Sequence, residues 1–174
     1  MDCDKCSGRD KKILRCLTCI PQKLLSMHGA ENTTEFVLHE LCGAHCFNLP
    51  KAAYFVDNPD FNCCKGVAGC CSTEWYQHPD DAWKKPEHFS GHMQEALFNK
   101  KVRQIQTSSF THGMDVALKT IAEQLGIQNP AYHMWDLKNN NKGILVFERD
   151  AHNYDQIKEL LPHGLSLLAF CPIF

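Results

Sequence analysis

The sequence predicts an α+β protein in which a cysteine-rich, zinc-binding amino-terminal part packs on a small sheet-and-helix domain. Three observations lead there. Ten of the eleven cysteines lie within the first 71 residues. Beyond them, helical stripes and strand-like runs follow in the order helix, helix, strand, strand, helix, strand, which suits a small sheet covered by helices on one face. An apolar share of 44 % with 22 % charged residues belongs to a globular chain rather than a disordered one. The expected division is a metal-binding region over residues 1–75, a connecting segment over 76–88 and the α+β domain over 89–174.

The cysteine-rich part opens with Cys3-x2-Cys6, followed by Cys16-x2-Cys19. Two residues between thiolates let both sulfurs face one ion, and Gly8 relieves crowding where the backbone turns beneath the first pair. The nine residues between the pairs suit a small loop or hairpin. Pro21 fits the first position of a helix that Gly29 would end, so Cys19 is expected just before a helix, where the dipole favours its thiolate. These pairs resemble the zinc-ribbon and treble-clef class of sites. The resemblance implies tetrahedral zinc at Cys3, Cys6, Cys16 and Cys19, with iron in a rubredoxin-like arrangement as the alternative. An exchange-active dithiol at Cys16 and Cys19 is disfavoured by the second pair close by.

Asn32-Thr33-Thr34-Glu35 has the form of a capping box, and a helix over about 33–47 should follow. At about 100° per residue, His39, Cys42 and Cys46 share an arc of about 60°, opposite Val37, Leu41 and Ala44. That segregation points to a second metal site on the helix face. Its closing ligands would come from Cys63, Cys64, Cys70 and Cys71, which Gly66 and Gly69 would bring together in a tight loop. An iron–sulfur arrangement is the alternative to zinc here. His39 with Cys42 could also act as base and nucleophile, but no orienting acid is evident on that face. His45 points elsewhere and reads as a surface histidine.

Leu49-Pro50, Asn58-Pro59 and His78-Pro79-Asp80-Asp81 mark turns. Ser90 starts a helix to about 105. Phe110, Met114, Ala117, Leu118, Ile121 and Leu125 form a second stripe closed by Gly126. Residues 131–137 and 144–149 read as a hairpin around a polar loop. A short helix with Ile157, Leu160 and Leu161 inward follows, then an interior strand over 165–171 in which Cys171 packs as a small hydrophobe.

The formal charge of −2 divides evenly, with eight Lys/Arg against nine Asp/Glu in residues 1–75. Such balance gives no case for a nucleic acid as the main partner. The opening Met1-Asp2-Cys3-Asp4 lacks the apolar stretch of a signal peptide, and no run approaches the roughly 20 apolar residues that span a bilayer. The expectation is a cytoplasmic protein without a membrane partner, whose reduced thiols favour metal over disulfides. Phosphate-loop, nucleophile-elbow and HExxH motifs are absent from the sequence. Together these features predict a cytosolic protein with one or two zinc ions, its cysteine-rich part a structural or protein-interaction module. The alternative is a zinc-dependent metalloenzyme using the His39/Cys42/Cys46 site, and a nucleic-acid-binding zinc module ranks below both.

Overall fold

A computed structural model describes residues 8–27, 31–77, 82–110 and 113–171. Cys3 and Cys6, Gly29, and the turn residues His78, Asp80 and Asp81 lie outside that description.

The first described element is α1 (Gly8–Ser26), a single helix that contains both Cys16 and Cys19. This corrects the expected loop or hairpin, and Pro21 lies inside the helix rather than at its start. The physical reason is the spacing of Ile13, Cys16, Ile20 and Met27, all buried. Burying that stripe outweighs the one backbone hydrogen bond that Pro21 cannot make on the exposed side. The second helix, α2 (Thr33–Cys42), is buried at nine consecutive residues from Thr34 to Cys42. It ends five residues before the expected boundary, because Gly43 leaves the helical region at φ −60° and ψ 154°.

Five antiparallel strands form one sheet in the order β3-β2-β1-β5-β4. They are β1 (Lys51–Asn58), β2 (Cys63–Cys71), β3 (Gln106–Thr107), β4 (Pro130–Asp136) and β5 (Lys142–Glu148). The sheet thus draws strands from both sides of the expected division, since β1 pairs with β5 across the middle. The 63–71 segment is a strand, not the expected loop. Its glycines serve a close approach instead: a Cβ on Gly66 would collide with the Val102 carbonyl oxygen. That oxygen belongs to α4 (Leu97–Gln104), which follows α3 (Pro86–Glu95) after a break at Ala96. The expected single helix from Ser90 to 105 is therefore two. The Glu74 carboxylate accepts from the Phe98 N–H at 3.0 Å, and the Asn99 side chain bridges the Gly69 N–H and the Met93 carbonyl.

Helices cover both faces of the sheet, not one. Tyr54, Leu145 and Phe147 pack with residues of α1, α2 and α3, while Phe55, Ile144 and Val146 pack with α4 and α5 (Met114–Leu125). The register of β1 on β2 shifts between Tyr54 and Phe55, leaving Val67 as an extra residue. This bulge turns Cys64 to the α4/α5 face and Cys70 to the α1/α2 face. Phe110 joins the α5 cluster from outside that helix, and β4 and β5 pair as the hairpin expected around the polar loop.

The carboxyl-terminal segment is helical where a strand was expected. After α6 (Ala151–Ile157), α7 (Leu161–Leu165) runs into a 3-10 turn over Ser166–Phe170. Leu161, Leu165 and Leu168 are buried at helical spacing, and Pro162 suits the first turn. An apolar run of this length satisfies either period, and the helical one buries it here.

Candidate metal centre

The turn after α2 builds the centre. Gly43 donates to the Glu40 carbonyl at 3.3 Å, and Cys46 and Asn48 donate back to the Gly43 carbonyl at 2.9 Å each. The tight reversal lifts His45 and Cys46 off the helix axis and towards α1. Gly43 has no Cβ where one would lie 2.7 Å from His45 Cε1, so the imidazole can fold across the turn. Asn153 of α6 fixes the far end by donating to the Phe47 and Asn48 carbonyls at 2.8 and 3.0 Å. Its side-chain oxygen accepts from Arg9 of α1. One asparagine therefore ties the turn to the helix that faces it.

Cys16 from α1, Glu40 from α2 and His45 from the turn bring one ligand atom each within 4.8 Å of one another. Glu40 is 2 % exposed at its side chain, and one of its oxygens accepts from Lys23 Nζ at 2.6 Å and lies 3.7 Å from His45 Nε2. Burial pushes the Glu40 carboxyl up, but hydrogen bonds from His45 and Lys23 outweigh it and hold the group below its ordinary value. The Cys16 thiol falls to about 6, first through the hydrogen bond with Cys46 and then through His45, against the effect of burial. His45 rises to about 10 through its hydrogen bonds with Cys16 and Glu40. The result is a thiolate and an imidazolium over a buried carboxylate. Above them opens a cleft of about 270 Å³ lined by Lys12, Arg15, Cys16, Cys19, Lys23, Glu40 and His45.

Cys46 does not share a helix face with His39 and Cys42, since α2 has already ended. Its thiol lies against Cys16 and is pushed far up by that contact and by burial. Cys42 faces Cys70 instead, and their hydrogen bond with complete burial keeps Cys42 protonated. His39 is stacked on Trp75 at 3.8 Å and meets Phe89 edge-on at 5.2 Å. Burial lowers its pKa to about 4, and neither ring nitrogen has a hydrogen-bond partner among the described residues. The structure thus separates the expected triplet into a Cys42–Cys70 contact, an aromatic stack at His39, and a Cys46 that belongs with Cys16.

Cys63 and Cys64 stand apart from this group. Six residues of extended chain place Cys64 about 20 Å from Cys70, and the two point to opposite faces. One ion does not join them. Cys63 instead accepts a 3.4 Å contact from Gln106, and Cys71 lies 3.1 Å from the Thr73 hydroxyl. Burial raises the Cys64 thiol, and raises that of Cys171 to about 11. All nine cysteines among the described residues are free thiols.

The chain matches no family model, no curated protein and no solved structure. Among the described residues, no helix is long and apolar enough to cross a membrane. Glu40 and His45 are the members of the centre that sequence reasoning missed. An acidic residue set between Leu38 and Leu41, four positions after Phe36, was the available signal for Glu40.

Proposed function

We propose that this chain is a cytosolic zinc-binding protein whose cysteine-rich part is a structural module, fastened by one ion at Cys16, Glu40 and His45. The observation that carries this reading is the convergence of sulfur, carboxylate oxygen and imidazole nitrogen within 4.8 Å from three separate segments. Zinc bonds of about 2.0–2.3 Å set the ligands of a tetrahedral shell about 3.3–3.8 Å apart. A contraction of about 1 Å by side-chain rotation therefore suffices. The mixed donor set suits zinc better than magnesium or calcium, which take oxygen, or an iron–sulfur cluster, which takes thiolates.

Two groups must yield to the ion. His45 must release its proton, and Lys23, which is a quarter exposed, must swing from Glu40 into water. Cys16 needs the least change, because its thiol is already lowered to about 6. Cys46, whose thiol is pushed far up by Cys16 and by burial, would join the shell only on releasing its own proton. Since the ligands join α1 to α2 and its turn, binding energy becomes energy for docking α1. The free thiols favour a reducing compartment. The expected site at Cys3, Cys6, Cys16 and Cys19 is an alternative use of the same Cys16, since Cys19 of that helix lines the cleft as well.

A second reading, a zinc-dependent enzyme, is favoured by the cleft that opens directly over the three ligands. Catalytic zinc keeps one position for water, whereas structural zinc is closed by protein. Cobalt substitution distinguishes the two. The structural reading predicts a tetrahedral cobalt spectrum with thiolate charge transfer that added azide leaves unchanged. A spectrum that azide shifts would establish the open site of an enzyme. Cobalt bound without thiolate charge transfer would exclude Cys16 as a ligand.

A further inference from the structure

We propose that Cys16 and Cys46 form a redox pair in which a hydroperoxide converts the two thiols to a disulfide and so empties the metal centre. The inference rests on the zinc reading only for the fate of the ion. The pairing itself stands on placement. Cys16 lines the cleft, whereas Cys46 is 1 % exposed and touches Cys16 from the protein side. An oxidant arriving through the cleft therefore meets Cys16 first, and the second thiol waits on the side that solvent does not reach.

Lys12, Arg15 and Lys23 line the same cleft and give it a positive rim, which favours the anionic sulfur and a negatively polarised peroxide oxygen. In the first step the Cys16 sulfur attacks the terminal oxygen of the hydroperoxide. The O–O bond breaks, sulfur loses two electrons and becomes sulfenic acid, and the alkoxide takes a proton from water to leave as an alcohol. In the second step the Cys46 sulfur attacks the Cys16 sulfur, the S–OH bond breaks, and the hydroxyl leaves as water with the Cys46 proton. Two thiols and one hydroperoxide thus yield one disulfide, one alcohol and one water.

A disulfide sulfur is a poor zinc ligand, because the metal takes thiolate. Glu40 and His45 alone do not make a shell, and Lys23 can return to Glu40. The oxidised centre would then resemble the metal-free arrangement, with α1 held covalently instead of by the ion. The oxidation would be reversed by a dithiol reductant.

Cys19 is the rival partner, three residues further along α1 and on the same cleft. Cys42 is engaged by Cys70 on the other side. The test treats the full chain, purified without added metal, with hydrogen peroxide. Two readouts are followed: disulfides by non-reducing peptide mapping, and zinc release with a colorimetric chelator. The expected result is a Cys16–Cys46 linkage, with one zinc released per linkage formed and both reversed by dithiothreitol. Cys46→Ser should stop at a Cys16 sulfenic acid that dimedone traps, whereas Cys19→Ser should behave as wild type. Mapping of the wild type needs no variant to fold. A Cys16–Cys19 or Cys42–Cys70 linkage in its place, or Cys16 and Cys46 recovered as thiols, would overturn the proposal. A Cys16–Cys46 disulfide in protein that held no zinc beforehand would sustain the redox pair and defeat the metal reading instead.

Discussion

The Cys16 thiol is lowered and the His45 imidazole raised in part by each other. Cys16 is lowered in the fold from 9.0 to about 6, so its contribution to stability is present at alkaline pH and is lost as pH falls through about 6. His45 is raised from 6.5 to about 10, so its contribution is present at acid pH and is lost as pH rises through about 10. The metal-free protein should therefore resist denaturant best between these limits and weaken on both sides. A stability curve that only rises or only falls across that window would contradict the pair. Thiolate absorbance gives a direct check: it should rise through pH about 6, and that step should vanish in Cys16→Ser. Glu40→Gln removes the charge that Lys23 and His45 share. It should cost about 1–3 kcal/mol in denaturant titrations, as expected for a buried hydrogen bond to charged partners, and a loss below about 0.5 kcal/mol would deny Glu40 that role. At this scale the sequence displayed Cys16, through its pairing with Cys19, but not its neighbours. Glu40 and His45 meet Cys16 only because of a turn at Gly43, and a turn leaves no periodic trace.

At the scale of elements, glycine decides how closely α4 lies on β2. Gly66→Ala would force its Cβ into the Val102 carbonyl, where the rigid helix backbone cannot give way as a side-chain tip would. A cost of about 3 kcal/mol or more is expected from such overpacking. At Gly91 of α3 a methyl group would meet nothing within 4 Å, and Gly91→Ala should raise stability by about 0.5–1 kcal/mol through helix propensity. Equal effects in the two variants would refute the assigned packing of α4. These glycines also explain why β2 was not legible. Gly66 and Gly69 read as loop residues because sequence shows their freedom and not the helix pressed against them. The hairpin was legible because a polar loop over 138–143 separates two strand-like runs. Of the two, β5 is apolar from Gly143 to Phe147, buried on both faces by the two helical layers.

For the whole molecule, the decisive feature is a sheet with a core on each side. The first 71 residues supply β1, β2 and α2 to it, so they build hydrophobic core in addition to carrying cysteines. Cysteine density concealed this, because Cys64, Cys70 and Cys71 occupy interior strand positions that aliphatic residues would otherwise mark. Ile121→Ala on the α5 side should cost about 2–5 kcal/mol, while leaving metal content unchanged because Ile121 and the centre lie on opposite faces. The central claim is that Cys16, Glu40 and His45 hold an ion, and elemental analysis of protein purified without added metal tests it most directly. The account predicts zinc in the wild type, the same amount in Cys63→Ser, and one ion fewer per chain when Glu40→Gln and His45→Ala are combined. A wild type without metal, or a double variant with an unchanged zinc content, would contradict it.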